Sequence, residues 1–97
     1  DTISAVSADD LRNQMVDRIL GSHRLSPRVE AVLRSVERHR YVPGTSLVDA
    51  YDERAIFTHL PDGTHLSCAS GPSIVAGMLN ALDVQPGHRV LEIGADA

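Results

Sequence analysis

Two short segments of this 97-residue chain carry residues whose types and spacing suit chemistry. In Ser67-Cys68-Ala69-Ser70-Gly71-Pro72, Ser70 precedes a glycine and a proline that open an apolar helical stripe, so its hydroxyl falls at a predicted helix N-terminus behind an exposed turn. Free N–H groups and the positive dipole end favour a bound carboxylate at such a place. The same hydroxyl could serve as the helix N-cap, worth about 1 kcal/mol, and the two roles can coexist. The second segment, Pro86-Gly87-His88-Arg89-Val90-Leu91-Glu92-Ile93-Gly94, reads as a Pro-Gly turn, a short apolar strand over 89–93 and a glycine. Buried parallel strands have this form, and a glycine after one lets backbone approach a ligand closely. In such loops a following helix receives the polar part of a nucleotide-like cofactor.

Other reactive side chains give weaker signals. Cys68 has no activating His or Lys beside it in sequence and reads as a small inert thiol. None of His23, His39, His59, His65 and His88 shares the i, i+3 or i+4 spacing that places two ligands on one helix face, so no metal site is expected. If Asp62-Gly63 forms a two-residue turn, His59 and His65 fall on opposite sides of the hairpin. Asp9, Asp10, Asp52 and Glu53 read as solvated charge at caps and loops. All nine basic residues are Arg, which excludes Schiff-base chemistry on a lysine of this chain.

The elements that must position these residues follow from apolar periodicity and punctuation. Ser7 with Asp10 resembles a capping signal, and Leu11, Met15, Val16, Ile19 and Leu20 recur at helical spacing up to Gly21, which predicts a helix over 8–20. Ser26-Pro27 opens a second helix, carried by Val29, Val32, Leu33 and Val36 to about Arg38 or His39, with Arg28, Arg34, Glu37 and Arg38 on a solvated outer face. Tyr41-Val42-Pro43-Gly44 breaks the helix, and residues 47–51 suit one short turn. Segments 55–60 and 65–67 around Pro61-Asp62-Gly63-Thr64 predict a small hairpin. A third helix, with a possible hydroxyl cap at Ser70, runs from Pro72 to near Leu82 on Ile74, Val75, Met78, Leu79 and Leu82.

Taken together in order and spacing, several motifs resemble the N-terminal part of the protein-L-isoaspartate O-methyltransferases, S-adenosylmethionine-dependent carboxyl methyltransferases. Arg40-Tyr41-Val42-Pro43 is similar to the family's Arg-Phe-Val-Pro stop, and Ala50-Tyr51-Asp52 to its Ala-Tyr-x-Asp segment. The run from Cys68 through Ser70, Pro72, Val75 and Ala76 to Met78 resembles Thr-Ile-Ser-x-Pro-x-x-Val-Ala-x-Met, and the run from Pro86 to Gly94 resembles the entry to the cofactor loop. The resemblance implies that Ser70 lies beside the substrate carboxylate and orients it, making Ser70 the candidate catalytic residue. It also implies S-adenosylmethionine as cofactor, with Cys68, Ala69, Ser70, Glu92 and Gly94 as candidate cofactor-binding residues. Cys68 stands where the family usually has Thr, Gly71 where bacterial relatives often have Gln, and Asp96 at the loop's second glycine position.

These readings bound the whole. A hydrophobic content of 42% suits a modest core, while a doubly wound sheet needs several crossovers of a dozen or more residues. The expected fold is therefore α/β and incomplete: a helical N-terminal subdomain over 8–45, then a hairpin, helix and first strand of a Rossmann-like class I methyltransferase sheet over 46–97. A net charge of −4 with no run of Arg argues against a nucleic-acid partner, and no apolar run suits a membrane helix. The expectation is a cytoplasmic peptide or protein carboxyl methyltransferase, inactive as these 97 residues alone. Two alternatives remain: a same-fold enzyme with another acceptor, or a non-catalytic binding module that self-associates through an unpaired sheet edge.

Overall fold

The computed structural model describes residues 7–59 and 62–94. Helix α1 spans Ala8–Leu20, where the Ser7 hydroxyl accepts from the Asp10 amide at 3.1 Å and Asp9 and Asp10 complement the dipole of the first turn. Its buried face is Arg12, Met15, Val16 and Ile19, the i, i+3, i+4, i+7 set of one helical stripe. Helix α2 spans Pro27–Ser35, with Ser26 accepting from the Val29 amide and proline at the first helical position.

The second helix stops earlier than its apolar stripe predicts. The Ser35 hydroxyl donates to the carbonyls of Ala31 and Val32, and Val36 turns extended at φ −76°, ψ 130°. Val32 and Val36 remain partly exposed, and a 3-10 turn at Arg38–Tyr41 carries Arg38 inward, away from the outer face assigned to it. Ser46 caps a single helical turn, α3 (Leu47–Ala50), as the local sequence predicts.

Strands β1 (Ile56–His59) and β2 (His65–Ala69) form a two-stranded antiparallel sheet. The register pairs Phe57 with Cys68 and then shifts, so that His59 faces His65 across a connection longer than two residues; the two-residue turn does not form. Within that connection Gly63 takes φ +90°, and the Asp62 carboxylate accepts from the Thr64 amide at 2.9 Å. Helix α4 spans Pro72–Leu82 and closes on Asp83 in the left-handed region.

The core gathers Met15, Val16 and Ile19 of α1, Val29 and Leu33 of α2, Val42, Ala50, Tyr51, and Ala76 of α4. Tyr51 is 2% exposed, and its hydroxyl meets His39 Nδ1 at 2.8 Å and Arg12 Nη1 at 3.5 Å. A buried phenol needs such partners. Buried Arg12 is satisfied in turn by the Arg34 carbonyl at 2.7 Å and by Asp9. The bond to Tyr51, and after it Asp9, raises the Arg12 pKa against the opposing effect of burial.

The predicted Pro-Gly turn forms after α4: Gly87 adopts φ +86° and the His88 amide donates to the Gln85 carbonyl at 3.1 Å. The strand expected over 89–93 does not. Those residues carry no regular structure, with Leu91 83% and Ile93 88% exposed. A parallel strand exists only by hydrogen bonding to neighbours, and the hairpin does not supply one. The structure is thus helical with one small antiparallel sheet, consistent with an incomplete methyltransferase fold, whereas the Rossmann-like sheet is not formed among the described residues. The expectation for Asp96 lies outside the described residues.

Candidate active site

An open cleft of about 660 Å³ lies between the corner where β2 enters α4, one face of α4, and residues 90–94. All five candidate residues line it: Cys68, Ala69 and Ser70 from the corner, Glu92 and Gly94 from the loop. The corner side is half-buried at Ala69 and Ser70, while Cys68, Glu92 and Gly94 are exposed. The α4 wall is apolar, with Val75, Met78 and Leu82 facing the loop. Gly94 adopts φ +84°, a conformation that side chains rarely tolerate, with open space where a Cβ would stand.

Ser70 is not the helix cap that its position suggests. Gly71 occupies the N-cap in an extended conformation, without a side-chain cap bond. The carboxylate of Glu53, some twenty residues back, does the capping: it accepts from the Ser73 amide at 3.1 Å and from the Ser73 hydroxyl at 2.8 Å. Glu53 is therefore not simply the solvated loop charge that sequence suggests. Among the described residues no partner engages the Ser70 hydroxyl, so it is free to meet a ligand in the cleft.

What holds Ser70 is its backbone. Arg38 Nη2 donates to the Ser70 carbonyl at 2.8 Å, and Arg38 Nε donates to the Ala50 carbonyl at 2.7 Å. Arg38 is half-buried and lines the same cleft. Burial pulls its pKa below the usual guanidinium value, opposed by the negative charge of Glu53 and by Tyr51. A solvated helix face was the natural reading of Arg28, Arg34 and Arg38 from charge spacing. Arg28 and Arg34 keep to the surface, where Arg34 reaches Asp17 and Asn13 of α1 and Arg28 donates to the Val84 carbonyl, whereas Arg38 turns in and binds the corner. The overlooked signal was the helix break itself, since an arginine just past a helix end is free to turn inward.

Gly71 is buried against the neighbouring loop. A Cβ there would stand 3.2 Å from Glu53 Oε2 and 3.4 Å from the Arg54 carbonyl carbon, so this position suits close backbone approach. No group of three or more His, Cys, Asp or Glu that could hold a metal occurs among the described residues.

Comparison with known proteins decides the lineage of this arrangement. The family model for protein-L-isoaspartate(D-aspartate) O-methyltransferase matches residues 11–97. The chain belongs to that family. Among its methyltransferase relatives, protein-L-isoaspartate O-methyltransferase 1 of Cupriavidus necator is 45% identical over 74 residues, covering 76% of this chain and 27% of the relative. Protein-L-isoaspartate O-methyltransferase 2 of Polaromonas sp. is likewise 45% identical over 74 residues, covering 33% of its length. The second such enzyme of Archaeoglobus fulgidus is 35% identical over 86 residues, covering 89% of this chain and 37% of the relative. The chain thus spans roughly a third of the length of the methyltransferases it matches. No solved structure matches it. No described helix is long and apolar enough to cross a membrane.

Proposed function

We propose that this chain is the N-terminal portion of an S-adenosylmethionine-dependent carboxyl O-methyltransferase acting on aspartyl or isoaspartyl side chains of peptides or proteins. The observation that carries the reading is the shared cleft, which brings the Ser70 hydroxyl to the same space as Glu92 and Gly94. Their donor set suits the polar end of the cofactor: a carboxylate for an ammonium, and an open left-handed glycine where backbone can approach. Cys68, Ala69 and Ser70 would border it from the corner. When bound, the cofactor supplies a methyl group on a sulfonium.

A carboxylate acceptor is already a nucleophile, so the protein needs to supply position more than proton transfer. The Ser70 hydroxyl donates a hydrogen bond to one carboxylate oxygen and leaves the other free to attack. Val75, Met78 and Leu82 give the cleft an apolar wall on the α4 side.

The second part of the proposal is that the 97 residues do not turn over alone. Met78 and Leu82 are more than half exposed and Leu91 and Ile93 nearly fully so, which leaves the cleft too open to exclude water. Titration calorimetry of this chain with S-adenosylmethionine tests this part. Binding weaker than micromolar is expected, since a micromolar Kd needs about 8 kcal/mol; a micromolar or tighter Kd contradicts it.

A non-catalytic assembly module is the second reading, favoured by one observation. Ile74, Met78 and Leu82 form an exposed apolar line on α4 beside exposed Val90, Leu91 and Ile93. Sedimentation of this chain separates the two: a stable dimer at low micromolar concentration favours assembly, a monomer favours the enzyme portion.

A further inference from the structure

We propose that Arg38 is a positioning residue for Ser70, fixing the direction of its hydroxyl from behind through the main chain. The inference rests on reading Ser70 as the site hydroxyl. The planar guanidinium spans two carbonyls, Ala50 at 2.7 Å and Ser70 at 2.8 Å, and so ties the end of α3 to the corner that starts α4. A rigid fork fixes both acceptors in one plane, which a flexible ammonium cannot do. The other side of the corner is held by Glu53 on Ser73, and Gly71 between them packs against the backbone of Arg54. Residues 70–73 are thereby gripped from two sides by groups far away in sequence, while no partner among the described residues engages the Ser70 hydroxyl. Arg38 lacks a carboxylate at ion-pair distance among the described residues, so its hydrogen-bonding capacity goes to main-chain carbonyls.

The test reads the Ser70–Gly71 peptide group directly. A hydrogen bond accepted by a carbonyl deshields the amide nitrogen of the same peptide, here that of Gly71. In two-dimensional NMR of the 97-residue chain, Arg38→Met is expected to move the Gly71 amide nitrogen upfield, and Arg38→Lys, which keeps one donor, to restore part of that shift. The amides of Val16 and Ile19 in α1 report the fold and should stay in place. A Gly71 resonance unmoved in Arg38→Met, with those core amides intact, overturns the inference; so does a shift in Arg38→Lys as large as in Arg38→Met. If Arg38→Met fails to fold, the Arg38→Lys spectrum decides alone: a partial upfield shift supports the inference, none overturns it. Because the readout is a peptide resonance, a Ser70→Ala enzyme with undiminished methylation would sink the functional reading without moving this result.

Discussion

Arg38 and Ser70, 32 residues apart in sequence, are joined by a 2.8 Å hydrogen bond from a half-buried guanidinium to a main-chain carbonyl. Through that bond the helical part of the chain fixes the corner that carries the candidate hydroxyl. Ser70 is consequently left free of capping duty, which Glu53 performs instead. The stability of the helical core and the geometry of the site should therefore be separable by mutation, and the following expectations exploit that.

Ile19 is 1% exposed in the centre of the core. Ile19→Ala should destabilise the chain by about 2–5 kcal/mol, as truncation of a buried aliphatic side chain does. Urea denaturation checks this; a loss below about 1 kcal/mol would mean that α1 does not pack as described.

Tyr51→Phe keeps the ring and removes the hydroxyl that serves His39 Nδ1 and Arg12 Nη1. The expected cost is about 1–3 kcal/mol, because the partners are left with unmet polar groups. A melting temperature equal to that of the parent chain would show that water replaces the phenol at no cost.

Glu53→Ala should cost about 1 kcal/mol by uncapping α4. Gly71→Ala should cost a similar amount by another route, since its new Cβ stands 3.2 Å from Glu53 Oε2 and pushes the carboxylate off Ser73. The backbone at Gly71 is ordinary for alanine, so no strain is added. The double variant should then fall well short of the sum. Full additivity in chemical denaturation would disprove this coupling.

The Thr64 amide, followed by the Thr64 hydroxyl, holds the Asp62 carboxyl below its usual range. A folded pKa lower than the unfolded value of about 3.9 contributes stability that is present above that value and lost as pH falls through the folded pKa. Following the Thr64 amide resonance from pH 6 to pH 2 should therefore show a midpoint below about 3.9. A midpoint at or above that value contradicts the turn geometry.

Sequence made much of this chain legible where local chemistry dominates. Helix α1 starts and stops at the residues its cap and glycine indicate, and the α4 helix and the Pro-Gly turn fall where expected. Local rules failed where distant groups compete. Helix α2 ends early because Ser35 and Val36 leave the helical pattern and Arg38 finds two carbonyls elsewhere. The cap of α4 arrives from Glu53, and buried Arg12 joins the expected apolar face of α1 through Tyr51 and the Arg34 carbonyl; these long-range pairings leave no mark at i, i+3 or i+4. The hairpin register slipped because spacing alone does not reveal a shift beside Thr58. At 89–93 the apolar run reads as a strand, yet a strand needs a partner that these residues do not have. At the candidate site, Ser70 and Gly94 stand out by their place at a helix start and a strand end and Glu92 by family resemblance, but the arginine behind Ser70 is invisible without three-dimensional contacts.

The most direct test of the central claim is the kcat/KM for methylation of an isoaspartyl peptide by a full-length family enzyme carrying residues 11–94 of this chain, compared with its Ser70→Ala variant. Losing one hydrogen bond to a charged acceptor is worth about 1.5–3 kcal/mol, so a fall of roughly tenfold to a hundredfold is predicted. An unchanged kcat/KM would remove Ser70 from the site and contradict the account.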